Sequence, residues 1–456
     1  MFKLPLFETL EGFMKDARDR SGLRPPGWPI FLLGVLIFFN GYLFFKAQVE
    51  QALSFMLFLA PVWLAALVLS TAWGLWMIMI RSYYIAAQNY ILLEIRPPRS
   101  LMKTPLAMEA VLAGLHHYPG ESDWHRLYVR GRVRPWWSLE IVSLEGQVHF
   151  YIWTRANFRK VVEAAFYSQY PGVQIVEAQD YTRTIAADPG NGWMAWGCDY
   201  KHTRIEDAYP IKTYIDYGLD KPQKEPEQTD PMANLVEFAA SVGKGEYLWI
   251  QYIFRVHLWG EKYGSKKNKE GKPYTWRDQA KEIIMKIRSE TREDYTDPTT
   301  GEKRPGFPNP TKHQTETMAA IERNVSKLAF DVGARALYIN RPEKFDPITI
   351  TAMIGLFKAF SSEGWNGIKA TRWLLEYADF PWEFGNVRRK ERRAKHLVEA
   401  YRRRQYFHEP FAFSDYMVMS TEELATLFHV PSGAVGSPAL PRIQSATGEA
   451  PVNLPT

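Results

Sequence analysis

The chain has 456 residues, a net charge of +6 and an aromatic share of 14%; it is too long for one ordinary domain and apolar enough to build two or three cores. A charge this mild excludes a strongly polycationic protein and points no further than an acidic partner. Cys198 is the sole cysteine, so an intrachain disulfide and a cysteine metal cluster are excluded, as suits a reducing cytoplasm.

Residues 1–28 read as an amphipathic lead, with Phe2, Leu4, Leu6, Phe7 and Leu10 among charges and Pro25–Pro26 at its end. Such a segment either lies on a membrane surface or frays as a tail.

Residues 29–81 carry two apolar runs, Pro29 to Phe45 and about Ala52 to Ile80, parted by the polar KAQVEQ. The first covers roughly 25 Å as a helix at ~1.5 Å per residue. The second is long enough to cross a hydrocarbon core of ~30 Å. A signal peptide has one short apolar core and a cleavage site, and a buried hairpin seldom runs this long without a charge. The stretch therefore reads as a transmembrane helical hairpin. Asn40 is its costly residue, expected to hydrogen-bond to the partner helix. Lys3, Lys15, Arg18, Arg20 and Arg24 precede the runs, Arg81, Arg96 and Arg99 follow them, and the connection offers only Lys46. The distribution puts both termini in the cytoplasm, with two helices in the inner membrane and Trp28, Trp73, Trp76 and Arg81 at its interface.

Residues 90–182 show the order strand, helix, two strands, helix, strand. LLEIR (92–96) is strand-like; TPLAMEAVLAGLHH places Met108, Val111, Leu112 and Leu115 on one helical face. RLYVRGRV, WSLEIVS and HFYIWTR are strand-like runs, with Gly146 in the last turn. ANFRKVVEAAFYSQY is helical and VQIVEA closes the set. With WSLEIVS and HFYIWTR as the central pair and RLYVRGRV ahead of them, this is the βαββαβ order of a ferredoxin-like α/β sandwich. Residues 197–362 repeat it more loosely: a strand at 211–216, a helix from Met232, a strand at 247–259, a helix at 316–328, a strand at 335–341, and a helix capped by Asp346–Pro347. Residues 260–311 form a polar insertion expected to be mobile. The fold class expected is α+β: the hairpin, two ferredoxin-like domains, a basic helical region (363–430) and a disordered Pro-rich tail (431–456).

Motifs for chemistry are sparse. Gly243-Lys-Gly245 lacks the hydroxyl residue of a phosphate-binding loop and follows a helix rather than a strand. His116 and His117 are adjacent and so diverge on a helix; His202, His257 and His313 are isolated. No catalytic residue, cofactor or metal is expected. Residues 388–404 read as a basic helix with nine Lys or Arg against two Glu. Arg388, Arg389, Arg392, Arg393, Lys395, Arg402, Arg403 and Arg404 could meet nucleic-acid phosphates, anionic lipid or an acidic protein. They could equally form the solvated face of a helix seated by Ala394, Leu397, Val398 and Tyr401. Ser420 to Glu423 is a capping box.

Three stretches carry a resemblance: EIRPPRSLMKTPLAMEAVLAGLH, WWSLEIVSLEGQVHFYIWTRANFRKVVEAAFYSQYP and STEELATLFHVPSGAVGSPALPRI. Together they resemble a membrane-anchored domain of unknown function from candidate-phyla (Patescibacteria) bacteria, found ahead of ATPases like the coupling proteins of type IV secretion and conjugation. Taken with the apolar hairpin and the sparse motifs, the resemblance points to a cytoplasm-facing, non-enzymatic scaffold that positions an ATPase or DNA-handling partner, with such an ATPase beginning near where Thr456 ends this chain. The partners expected are the lipid bilayer, a coupling-type ATPase or secretion subunit, and further copies of the chain; nucleic acid on the basic helix is the alternative.

Overall fold

The computed structural model describes residues 27–98, 101, 103–117, 123–184, 191–221, 230–258, 260–261, 263, 268, 271–296, 303–371, 386–412 and 414–431. The expected lead, up to residue 26, and the Pro-rich tail from residue 432 lie outside them. The chain divides into two compact units, the first made of Met1–Ala87, Glu121–Val133 and Arg372–Lys390 and the second of the remainder.

In the first unit the apolar stretch forms three helices where the sequence suggested two: α1 (Gly27–Phe44), α2 (Lys46–Phe58) and α3 (Ala60–Ala86). A bend of 118° separates Leu32–Phe44 from Lys46–Phe58. Pro61 in the first turn of α3 causes the second break, since proline starts a helix readily but cannot continue one. Among the described residues only α3 is long and apolar enough to cross a membrane unaided; the bent pair passes that test only together. Asn40 is satisfied locally, its Nδ2 donating to the Leu36 carbonyl at 2.8 Å, in place of the expected bond to a partner helix, which does not occur among the described residues.

The second unit is mixed α and β, built on a nine-stranded antiparallel sheet. Its first half runs β1 (Tyr90–Arg96), α4 (Leu106–Gly114), β2 (Trp136–Leu144), β3 (Gln147–Arg155), α5 (Arg159–Gln169) and β4 (Gln174–Ala178). The second half runs β5 (Met194–His202), α6 (Pro231–Ala240), β6 (Glu246–Val256), α7 (Trp276–Glu290), a two-stranded ribbon of β7 (Arg292–Thr296) with β8 (Lys303–Pro308), α8 (Lys312–Ser326), β9 (Ala329–Asn340), α9 (Pro347–Ile354) and β10 (Ile368–Ala370). Then come α10 (Asn386–Arg402), β11 (Met417–Ser420) and α11 (Thr421–Leu427).

The spatial order is β10-β5-β9-β6-β2-β3-β1-β4, with β11 beside β9. Each half thus lays its first, second, third and fourth strands in the order 4-1-3-2, and the two second strands meet along Trp136–Leu144 and Tyr247–Arg255. Two expected strands are corrected. Residues 211–216 form turns, with Asp216 accepting from the Thr213 backbone N–H at 2.8 Å. Residues 124–128 of the RLYVRGRV region are a short helix, Trp124–Tyr128. The strand that opens the second half is instead β5.

Alternation along the strands sorts their side chains onto two faces. Trp137, Leu139 and Ile141 of β2, Leu248, Ile250 and Tyr252 of β6, and Phe330, Val332 and Ala334 of β9 join one apolar core with Met108 and Val111 of α4, Val162 and Phe166 of α5, and Leu235 and Val236 of α6. The other face carries Glu140, Gln251, Asp331 and Arg335, all buried.

Candidate functional site

A buried charged face needs a cover that satisfies it. Residues 391–411 provide one. Ala394, Leu397, Val398, Ala400 and Tyr401 of α10 are buried, the apolar stripe the sequence predicted. Two glycines let the cover approach. A Cβ on Gly197 would come within 2.8 Å of Leu397 Cδ2, and one on Gly333 would lie 2.5 Å from the Tyr406 ring.

The chain leaves α10 through Arg404, whose φ is +49. Its guanidinium enters the face and meets Glu140 through Nε at 2.9 Å and Nη2 at 3.2 Å, and Asp180 through Nη2 at 3.0 Å. Glu140 also accepts from Ser138 at 2.8 Å, Gln251 at 2.9 Å and Tyr181 at 2.8 Å, and Tyr181 meets the Tyr401 hydroxyl at 2.8 Å. Burial pushes the Asp180 carboxyl up, but the Arg404 guanidinium overrides this and holds it below its ordinary value. Burial raises the Tyr181 and Tyr401 hydroxyls, reinforced by the Glu140 charge, so both stay protonated. Beside this cluster Arg335 meets Asp199 at 2.6 Å, both fully buried.

A third group holds His257, Glu261 and Asp331, whose ligand atoms lie within 4.8 Å of one another. A divalent ion would need those carboxylates free. Arg134 instead grips Glu261 with two bonds, at 2.7 and 2.8 Å, Arg255 meets Asp331 at 2.8 Å, and His257 Nδ1 lies 2.6 Å from Asp331. The two guanidinium groups supply the positive charge a metal would bring, so these residues form an ion-pair network and do not fit a metal site.

The expected basic surface divides. Arg404 is buried and belongs to the charged face, which removes it from any surface that meets a polyanion. Lys395 and Arg403 are exposed and pair with Glu391 at 3.2 Å and Glu399 at 2.6 Å, four residues back along the chain. Arg392 is exposed, and Arg393 and Arg402 are half-buried. Arg388 and Arg389 are helical in backbone; their side chains lie outside the described residues. At the apolar stretch, Trp28 is helical with its side chain likewise undescribed. Trp73 and Trp76 are partly exposed on α3 beside Tyr128, and Arg81 lies in its final turns.

Sequence reasoning missed a second constellation, around α11. All seven residues of this helix are buried. Glu422 accepts from Lys327 at 2.8 Å, Arg323 at 3.2 Å and Thr213 at 2.5 Å. Lys327 also reaches Glu109 of α4 at 2.8 Å. Glu423 accepts from the backbone N–H groups of Ser420 and Ile211, each at 3.0 Å, completing the capping box. His429 Nε2 meets Asp230 at 2.9 Å. Glu422 and Lys327 thereby tie the first half of the sheet's helical layer to the second. The available signal was the density of polar residues in STEELATLFH, too polar for a helix with no exposed side.

A solved structure of 6-hydroxy-D-nicotine oxidase from Arthrobacter nicotinovorans shares 11% identity, with 69% of this chain and 53% of that chain covered, at a TM-score of 0.23. The chain thus spans about half the length of that structure, and a likeness so slight carries no argument. No curated protein matches. A family model, the domain of unknown function DUF8128, matches residues 85–440. That span takes in the sheet, the cover of its charged face and the buried STEELATLFH helix, and the chain belongs to the DUF8128 family.

Proposed function

We propose that this chain is a non-enzymatic scaffold anchored in the inner membrane, which holds an ATPase or DNA-handling partner of a type IV secretion- or conjugation-like machine on the cytoplasmic side. The observation that carries the reading is the exposed apolar surface of α3, in a chain whose buried sheet acids Glu140, Asp199 and Asp331 are each met by an arginine. Leu69 and Val62 of α3 are each 70% exposed, a cost in water that lipid removes. The charged face of the sheet, by contrast, is covered and internally neutralised, which suits a rigid platform.

In this reading α3 is one crossing, the bent pair of α1 and α2 together supplies the other, and both termini are cytoplasmic. The platform is a pair of ferredoxin-like units; their support is the 4-1-3-2 strand order of each half. Co-purification of the detergent-solubilised chain with a coupling-type ATPase, or its assembly into a multimer, is the expected outcome. A chain that does neither, at concentrations where such machines assemble, overturns the scaffold.

A second reading is favoured by one observation: the buried stripe of α10 leaves Arg392, Lys395 and Arg403 on the outward side. On this reading the outer face binds nucleic-acid phosphates, although Lys395 and Arg403 already spend charge on glutamates. Binding that weakens steeply with salt, and collapses in Arg392→Glu with Arg403→Glu, supports it. Binding unchanged by these substitutions rules it out.

A further inference from the structure

We propose that residues 123–133 form a clasp seated in the headgroup layer of an anionic bilayer, a docking surface whose occupant is phospholipid. The inference rests on the reading of α3 as a membrane crossing and adds to it a second point of attachment.

The segment is fixed to the wall of α3 at two levels. Gly131, with φ +60, lies so close to the end of the apolar run that a Cβ would fall 2.4 Å from the Ile80 carbonyl oxygen. Nearer the helix middle, Trp76 donates through Nε1 to the Tyr128 carbonyl at 2.9 Å, and the Tyr128 ring lies 5.6 Å from that of Trp73. Trp76 precedes Ile80 by one helical turn, about 6 Å along the axis. From Gly131 back to Tyr128 the chain therefore descends along α3, past Arg81 and towards the apolar middle. A depth of about 5–10 Å is where amphipathic interfacial helices reside.

The side chains at that depth suit it. Trp124 is one turn from Tyr128 on the same side of the short helix and is 70% exposed. Val129 is exposed next to it. An exposed Trp and Tyr flanking a Trp pair on a candidate span is the composition of an aromatic belt, where the rings sit among glycerol and carbonyl groups. The segment holds three Arg and one His against a single Asp, a balance that favours anionic headgroups. Arg126 and Arg130 are exposed, Arg126 pairing with Asp123 at 3.1 Å, and their flexible stems let the charge stay in the polar layer while the rings go deeper.

The test is spin-label accessibility on the full chain reconstituted in phosphatidylglycerol-containing vesicles and in pure phosphatidylcholine vesicles. Single labels are placed at Trp124→Cys, at Leu69→Cys on α3 and at Lys281→Cys on α7. Cys198 stays unlabelled because it is buried and its thiol is pushed up to about 12. The expected result is oxygen accessibility above nickel-chelate accessibility at 124, intermediate between the lipid-immersed 69 and the aqueous 281. Adding Arg126→Glu and Arg130→Glu is expected to shift the 124 label towards water in the phosphatidylglycerol vesicles and to leave it unmoved in phosphatidylcholine. A label at 124 as aqueous as at 281, with 69 still in lipid, overturns the clasp and leaves the membrane reading standing. An aqueous label at 69 overturns the membrane reading itself, and the clasp with it.

Discussion

Arg404 and Glu140 stand 264 residues apart in sequence and form a buried pair in which the guanidinium donates through both Nε and Nη2 to the two oxygens of one carboxylate. The pair fastens the end of α10 to the middle of β2. Taking charges out of water is costly, so such a pair stabilises little relative to apolar packing, yet removing one member leaves the other uncompensated.

Arg404→Met is therefore expected to destabilise the sheet unit by about 3–5 kcal/mol, as for other broken buried pairs. Glu140→Gln in the same chain should restore part of that loss, because only the half-solvated Asp180 then remains charged. Denaturant midpoints of the two single variants and the double variant check this. Additive losses would show that the pair is not coupled.

Gly333→Ala sets a methyl group against a ring that cannot move aside, since Tyr406 is fully buried. The expected cost is about 1–3 kcal/mol of overpacking strain. Tyr406→Leu in the same background should recover a large share of it. The measurement is a double-mutant cycle on the denaturation midpoint.

The α11 capping box makes stability fall on the alkaline side. Burial raises the Glu423 carboxyl from 4.5 to about 7, against the pull of the nearby His202 charge. The folded state thus holds this proton more tightly than the unfolded chain. Its contribution is complete below pH 4.5 and is lost as the pH climbs through about 7. His202 acts in the same direction: burial lowers its value, the Asp207 carboxylate 2.7 Å away more than reverses this, and the benefit fades above 6.5. Glu423→Gln, an isostere of the protonated acid, should flatten the fall between pH 4.5 and 7. Equal slopes for the two proteins, measured by urea denaturation across that range, would exclude the effect.

Lys327 offers a graded comparison. It bridges Glu109 and Glu422 at 2.8 Å each, but Arg323 also reaches Glu422. Lys327→Ala therefore leaves Glu422 with a partner. The expected loss is about 1.5–3 kcal/mol, the range for hydrogen bonds to charged groups, and smaller than for Arg404→Met. A reversed ranking of the two variants in one denaturation series would show that Arg323 does not compensate.

The elements most legible in the sequence are those whose signal is local. The stripe Ala394, Leu397, Val398 and Tyr401, the caps at Asp346 and Ser420, and the helix from Met232 each follow from spacing within a few residues. β5 escaped because MAWGCDYKH does not alternate; Gly197 interrupts it so that Leu397 can come close. Residues 211–216 misled because Ile211 and Tyr214 are buried as strand residues would be, although the Asp216 side chain folds the backbone into a turn. The ion pairs of the charged face were unreadable for a different reason. Glu140 with Arg404 and Asp199 with Arg335 are contacts that only the assembled sheet creates, and a lone Glu in a strand is ordinarily a solvent-facing residue.

The seam between β2 and β6 has a bearing on how copies of this protein can meet. Each half would, alone, present its second strand as a long open edge with unpaired backbone donors and acceptors, the usual route to unwanted strand addition. By marrying those two edges, the chain leaves β10, β4 and β11 as the outer strands of the described sheet, three, five and four residues long. Such short borders offer little purchase for a further strand. Among the described residues, growth by extending this sheet is thus disfavoured, and a larger assembly is better served by faces, helices or the membrane.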